Sequence, residues 1–133
     1  MTFDAIGIAS TGMTVHRKWL DAISDNIANI NTVTSVDEDA FTAKYVAAQA
    51  MGSGTETKGV QVSGIVEGST EGRLVYEPDH PLANAEGYVK YPDIDMSSQM
   101  TQLIMAQRGY QANAAVVERA RASYEQALTI GQN

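Results

Sequence analysis

Apolar residues recur every seven positions at both ends of the chain. Near the start, Ile6, Met13, Leu20 and Ile27 form one row, and Ile23 and Ile30, completed by Ala9 and His16, form a second. Near the end, Met96, Leu103, Tyr110, Val117 and Tyr124 repeat at the same spacing, with Met100, Ala114 and Leu128 in a neighbouring row. That is the seam of a helix packed lengthwise on another. The pattern predicts a first helix over about Asp4–Asn29 and a last one over about Met96–Ile130. Asp4 is placed as an N-cap, with Phe3 and Ile8 as a hydrophobic staple. Asn29, Ile30, Asn31 and Thr32 mark the end of the first helix. Asp93 or Asp95 suits the start of the last helix, and Gly131 suits its C′ position. Gly7 and Gly12 each cost about 1 kcal/mol relative to Ala in a helix interior, so the first helix needs a partner.

The stretch between the helices follows another rule. All three prolines (Pro78, Pro81, Pro92) and six of the eleven glycines lie between Gly54 and Pro92. Val60, Val62 and Ile65 alternate with polar residues, and Arg73 to Tyr76 and Tyr88 to Tyr91 are short β-prone runs. A small sheet or a pair of hairpins is expected there. Residues 43–51 read as a short helix or a mobile arm. The fold expected is mainly α with a small β part: terminal helices paired as a long coiled coil around a central β-rich domain. The expected divisions are 1–32 (first helix and end motif), 33–56 (loop or mobile arm), 57–95 (β-rich outer domain) and 96–133 (last helix). Small residues along the last helix (Ala106, Gly109, Ala112, Ala115, Ala120, Ala127) let further helices approach on several sides.

Charge sharpens this division. The chain has 133 residues and a net charge of −7. Residues 33–95 hold eleven acids and four bases, whereas the two ends are balanced at five each. Neutral ends pack densely without repulsion, and an acidic middle prefers water. The sign of the total argues against nucleic acid or an anionic membrane surface as the main partner. No run approaches the roughly 20 apolar residues of a membrane span. The start has no basic region followed by an apolar run, so no cleaved signal peptide is expected. With no cysteine, a disulfide framework and thiolate ligation are excluded.

Catalytic, metal and cofactor chemistry find no anchor. His16 and His80 fit no metal spacing. His16 reads as an interface histidine, and His80, in Asp79-His80-Pro81, as part of a turn. Asp37-Glu38-Asp39 lacks the loop spacing of a calcium site and reads as a solvated acidic loop. No catalytic residue, metal or cofactor is expected. The amides carry more information. Asn26, Asn29 and Asn31 cluster at the end of the first helix, and Gln107, Gln111 and Asn113 in the middle of the last. An amide donates and accepts without carrying charge, so it enters a packed interface at modest cost when paired.

Ser24-Asp25-Asn26-Ile27-Ala28-Asn29-Ile30-Asn31-Thr32 resembles the N-terminal signature of the flagellar rod and hook axial proteins. Gln99-Met100-Thr101-Gln102-Leu103-Ile104-Met105-Ala106-Gln107-Arg108-Gly109-Tyr110-Gln111-Ala112-Asn113 resembles their C-terminal signature. Between them, Val75 to Pro81 and Glu86 to Asp95, with Tyr76, Pro78, His80, Pro81, Gly87, Tyr88 and Pro92, look like the middle motif of a short proximal-rod member. The resemblance implies a structural subunit of the proximal rod, the periplasmic drive shaft of the flagellum, polymerising through its terminal helices. It implies passage through the flagellar type III export apparatus without signal-peptide cleavage. Implied partners are further copies of the chain, FliE, and the rod proteins FlgB, FlgF and FlgG. The runner-up is another proximal-rod subunit of the FlgB kind. A soluble coiled-coil adaptor or secreted effector is more remote. Two features depart from the family. Gly109 stands where Ala or Ser is usual, implying a looser helix, and residues 33–51 lack an Arg-rich, Pro-containing stretch.

Overall fold

The computed structural model describes residues 2–54, 56 and 58–132, without the side chains of Thr2 and Phe3. The expected staple of Phe3 on Ile8 therefore lies outside the described side chains. The element order is α1 (Thr2–Ala28), β1 (Lys44–Met51), β2 (Gly59–Glu67), β3 (Arg73–Tyr76), β4 (Tyr88–Tyr91) and α2 (Met96–Gly131). Two helices thus flank a small β part made of two two-stranded sheets, β1 with β2 and β3 with β4.

Both helices match the heptad reading to within a few residues, and their ends show why. α1 starts at Thr2, so Asp4 sits in the first turn instead of capping it. A carboxylate there still faces the positive end of the helix dipole. At the other end the Asn29 side chain donates to the Asp25 carbonyl at 2.9 Å and accepts from the Thr32 hydroxyl at 3.1 Å. These bonds close the helix without any left-handed residue, since positive φ occurs only at glycines among the described residues. For α2 the cap is Asp95, whose Oδ2 accepts the Ser98 N–H at 2.7 Å. Gly131 is the last helical residue and does not adopt the left-handed conformation expected of a C′ glycine.

Residues 44–51 are a strand, not the short helix or mobile arm expected from their alanines. Pairing with β2 decides this. Lys58 N–H donates to the Met51 carbonyl at 2.9 Å and Gly68 N–H to the Ala43 carbonyl at 2.8 Å, closing the two ends of an antiparallel hairpin. Between them the Ser63 hydroxyl donates to the Ala47 carbonyl at 3.1 Å. Cross-strand bonding satisfies the backbone, so the weak helical preference of an Ala-rich run loses.

The chain divides into two compact units. The first comprises residues 1–20, 46–64 and 104–133. Its buried positions are small: Ala9, Gly12, Gly59 and Ala106. Gly59, at φ +119°, packs against the Thr11 side chain. The Thr11 hydroxyl donates to the Ile8 carbonyl at 2.6 Å and accepts the Val60 N–H at 3.1 Å.

The second unit comprises residues 21–45 and 65–103. Here Ile30, Ala43 and Ile94 form a buried cluster against which Phe41 packs. Ile23, Val89, Asn26 and Pro92 are fully buried. β3 and β4 pair antiparallel, with Arg73 opposite Tyr91, Val75 opposite Val89 and Tyr76 opposite Tyr88. Thr34 extends this pairing by exchanging backbone bonds with Lys90 at 2.9 and 3.0 Å. Gly72, at φ +63°, leaves no room for a Cβ beside the Tyr91 carbonyl and Ala40.

Candidate assembly surface

The buried rows are those of the second register read in α1. Ile23 (1% exposed), Ile30 and Ala9 are buried, whereas Ile6, Met13, Leu20 and Ile27 are half-buried. On α2 the fully buried residues are Gln99 and Ala106, and Leu103, Tyr110 and Val117 flank them half-buried. Met96, Met100, Tyr124 and Leu128 are exposed on the single chain, as are Ile104, Met105, Val116 and Ile130. Every described residue from Arg121 onward is exposed. A 36-residue helix with that many bare apolar side chains is a candidate assembly surface.

Of the six amides, Asn26 is the structural centre. Its side chain is 1% exposed and makes three bonds. Oδ1 accepts the Lys44 N–H at 2.7 Å, and Nδ2 donates to the Lys44 carbonyl at 2.9 Å and to Gln99 Oε1 at 3.1 Å. One side chain of α1 thereby holds the first residue of β1 and a buried side chain of α2. Beside it Lys44 Nζ meets Asp25 Oδ2 at 2.7 Å. Asn113 is half-buried and donates to the Gly109 carbonyl at 2.8 Å. Asn29 caps α1, and Asn31, Gln107 and Gln111 are exposed. Gln99 and Lys44 were not candidates from sequence. A lone Gln at the mouth of an apolar row carries no mark of burial, and Lys44 is engaged through its backbone.

The middle motif builds the connection between β3 and β4. Asn84 Oδ1 accepts the backbone N–H groups of Glu86 and Tyr88 at 3.1 and 2.8 Å. Gly87, at φ +85°, is buried where a Cβ would lie 2.7 Å from the Tyr76 ring and 3.1 Å from Pro78. Tyr76 meets Tyr88 edge to face, with ring centroids 5.4 Å apart. His80 Nδ1 accepts the Leu82 N–H at 3.1 Å, the turn role expected of it. Pro78 and Pro81 stay exposed, and Pro92 is fully buried just before α2. The Tyr91 hydroxyl donates to Glu77 Oε1 at 2.9 Å. That bond, partial burial and the carboxylate's charge hold the phenol above its usual pKa, against an opposing pull from the Arg73 guanidinium over its ring.

Asp37, Glu38 and Asp39 are exposed, and Lys90 Nζ donates to the Glu38 carbonyl at 2.7 Å. Among the described residues no group of three or more His, Asp or Glu side chains is placed to hold a metal ion. No described helix is long and apolar enough to cross a membrane.

Two segments of the chain match known families. Residues 6–34 match the family described as "Flagella basal body rod protein", and residues 85–130 match "Flagellar basal body rod FlgEFG protein C-terminal". Across nearly the whole chain, the flagellar basal-body rod protein FlgC of Escherichia coli O6:H1 is 37% identical over 126 residues, 94% of each chain. The chain belongs to the FlgC family of flagellar basal-body rod proteins. FlgC of Salmonella typhimurium is also 37% identical over 94% of each chain, and FlgC of Bacillus subtilis is 30% identical over 98% of each. The two matched segments of this FlgC-family chain contain α1 from Ile6 onward with its end motif and nearly all of α2. They hold Asn26, Gln99 and the exposed α2 row. The chain is a structural subunit of the flagellar basal-body rod.

Proposed function

We propose that this rod subunit polymerises through its terminal helices, paired as a coiled coil, into the proximal, periplasm-spanning part of the rod. Residues 1–32 and 96–133 line the shaft, and the acid-rich residues 57–95 face outward. The observation that carries the reading is that Met96, Met100, Tyr124 and Leu128, each 40–49% exposed, continue the heptad rows of α2 beyond the stretch where Leu103, Tyr110 and Val117 are half-buried. Support for helix pairing comes from each unit separately. In the first, Gly12 of α1 lies against Asn113 of α2, and Gly109 of α2 against His16 of α1, an antiparallel order. In the second, Asn26 of α1 bonds Gln99 of α2. Further copies of the chain, FliE, FlgB, FlgF and FlgG are the partners, and the flagellar type III apparatus is the export route. No catalytic step belongs to this function.

Met100→Asp and Leu128→Asp test it, because both side chains are exposed on the single chain and their replacement leaves its packing intact. In the rod each would bury a carboxylate without a cationic partner, a cost of several kcal/mol per subunit. The measurement is swimming together with immunoblots of cell and periplasmic fractions. Non-motile cells that still export the variants are expected, and Glu71→Ala, at an exposed acid of the middle, swims normally. Normal swimming by both Asp variants would refute the reading.

A further inference from the structure

Heptad seams leave a register open, because a slip of seven residues returns apolar side chains to apolar side chains. The first unit holds a feature that such a slip destroys. His16 folds back along α1, with Nδ1 2.7 Å from the Gly12 carbonyl, so Nδ1 carries the proton and donates. The far side of its ring lies against Gly109 of α2, where a Cβ would overlap Nε2 and Cδ2. Asn113 does the same in reverse. Its Nδ2 donates to the Gly109 carbonyl at 2.8 Å. Its side chain lies against Gly12 of α1, where a Cβ would sit 2.8 Å from Oδ1 and 3.0 Å from Cγ and Nδ2.

We propose that Gly12 with His16 and Gly109 with Asn113 form a reciprocal lock that sets the register of α1 against α2. Each helix offers a bare glycine to the other's polar side chain. Each glycine also supplies the carbonyl that holds its own helix's polar side chain in place. The two halves therefore meet at the same two glycines. A seven-residue slip puts His16 opposite Val116 or Gln102 in place of Gly109, and Asn113 opposite Trp19 or Ala5 in place of Gly12. None of these leaves the space a glycine leaves. A slip of one residue turns a helix by about 100° and removes the glycine from the contact altogether. The glycines lower the helical propensity of both elements, and what they provide in return is specificity of alignment, as polar residues do at coiled-coil seams. His16 and Asn113 are positioning residues for assembly.

The lock rests on the reading that the two helices stay paired in the rod. The test replaces the full-length subunit in motile cells with Gly109→Ala, His16→Ala and the double variant, alongside Gly12→Ala, Asn113→Ala and their double. Swimming and the amount of subunit purified with basal bodies are measured. Gly109→Ala alone is expected to reduce incorporation by about tenfold, the consequence of overpacking strain at one contact. His16→Ala alone stays within about twofold, since Asn113 against Gly12 still holds the register. Adding His16→Ala to Gly109→Ala restores incorporation, and the second pair behaves likewise. A glycine serving only helix flexibility would show no such rescue. Normal incorporation of Gly109→Ala, or a double variant no better than Gly109→Ala, would overturn the lock. Met100→Asp, at a side chain exposed on the single chain, separates the two levels. If it fails to assemble while Gly109→Ala is normal, the lock alone is lost; if it also assembles normally, assembly through α2 falls and the lock with it.

Discussion

Replacing Asn26 by Ala removes an amide that is 1% exposed and makes three hydrogen bonds. The Lys44 N–H and carbonyl lose their partner, and Gln99, itself 2% exposed, loses the donor to its Oε1. A bond of this kind contributes about 1 kcal/mol net, and a buried group left unpaired costs about 1–3 kcal/mol. Lys44 is half-buried, so water recovers part of the loss there, and Gln99 Oε1 bears most of it. The expected destabilisation is about 3–5 kcal/mol, a large share of the 5–15 kcal/mol typical of a domain. Asn26→Asp is no remedy, because its second oxygen would turn an acceptor toward the Lys44 carbonyl and Gln99 Oε1. Asn29→Ala, which breaks a half-exposed cap to the Asp25 carbonyl, costs about 1 kcal/mol and serves as the control. Hydrogen exchange of the Lys44 amide and urea unfolding of the purified chain report the effect, with Lys44 losing protection only in the Asn26 variants. A double-mutant cycle with Gln99→Ala reads the coupling directly. If Asn26→Ala stays within about 1 kcal/mol of the unsubstituted chain and Lys44 remains protected, Asn26 is not the tie between α1, β1 and α2.

Residues 121–132 are all exposed, so their amides are expected to exchange rapidly in the isolated chain and slowly in assembled rods; equal rates in the two states would contradict assembly through α2. Tyr91 is expected to titrate above its ordinary value of 10.0, chiefly because its hydroxyl donates to Glu77. The folded pKa being raised, this bond's contribution to stability is fully present below pH 10.0 and is lost as pH rises through the folded pKa. An ultraviolet difference titration against Tyr91→Phe measures it, and Glu77→Gln should bring the phenol back toward its usual range.

Much of this was legible along the chain because it is local. Periodicity located α1 and α2, β-prone runs located β3 and β4, and two candidate caps, Asp93 and Asp95, bracketed the start of α2, where Asp95 makes the bond. What was hidden depends on distant partners. The strand over 44–51 is dictated by β2 and by the Asn26 amide, neither of which an Ala-rich run announces. Gln99 is polar within an apolar row, and only its pairing with Asn26 makes it a core residue. Gly109 reads in isolation as a weak point in a helix, whereas across the contact it is the space that the His16 ring fills. Asp4 shows the smaller kind of miss, a carboxylate placed correctly at a helix start but inside the first turn.

The proposed function requires the paired terminal helices to form the wall of the shaft. A density map of purified basal bodies, resolved well enough to trace this subunit, tests it most directly. In the rod, α1 and α2 are expected antiparallel at small radius, with Met100, Ile104, Tyr124 and Leu128 covered by neighbouring subunits and residues 57–95 outside. Helices that lie apart, or an α2 whose Met100 and Leu128 row still faces open solvent, would contradict it.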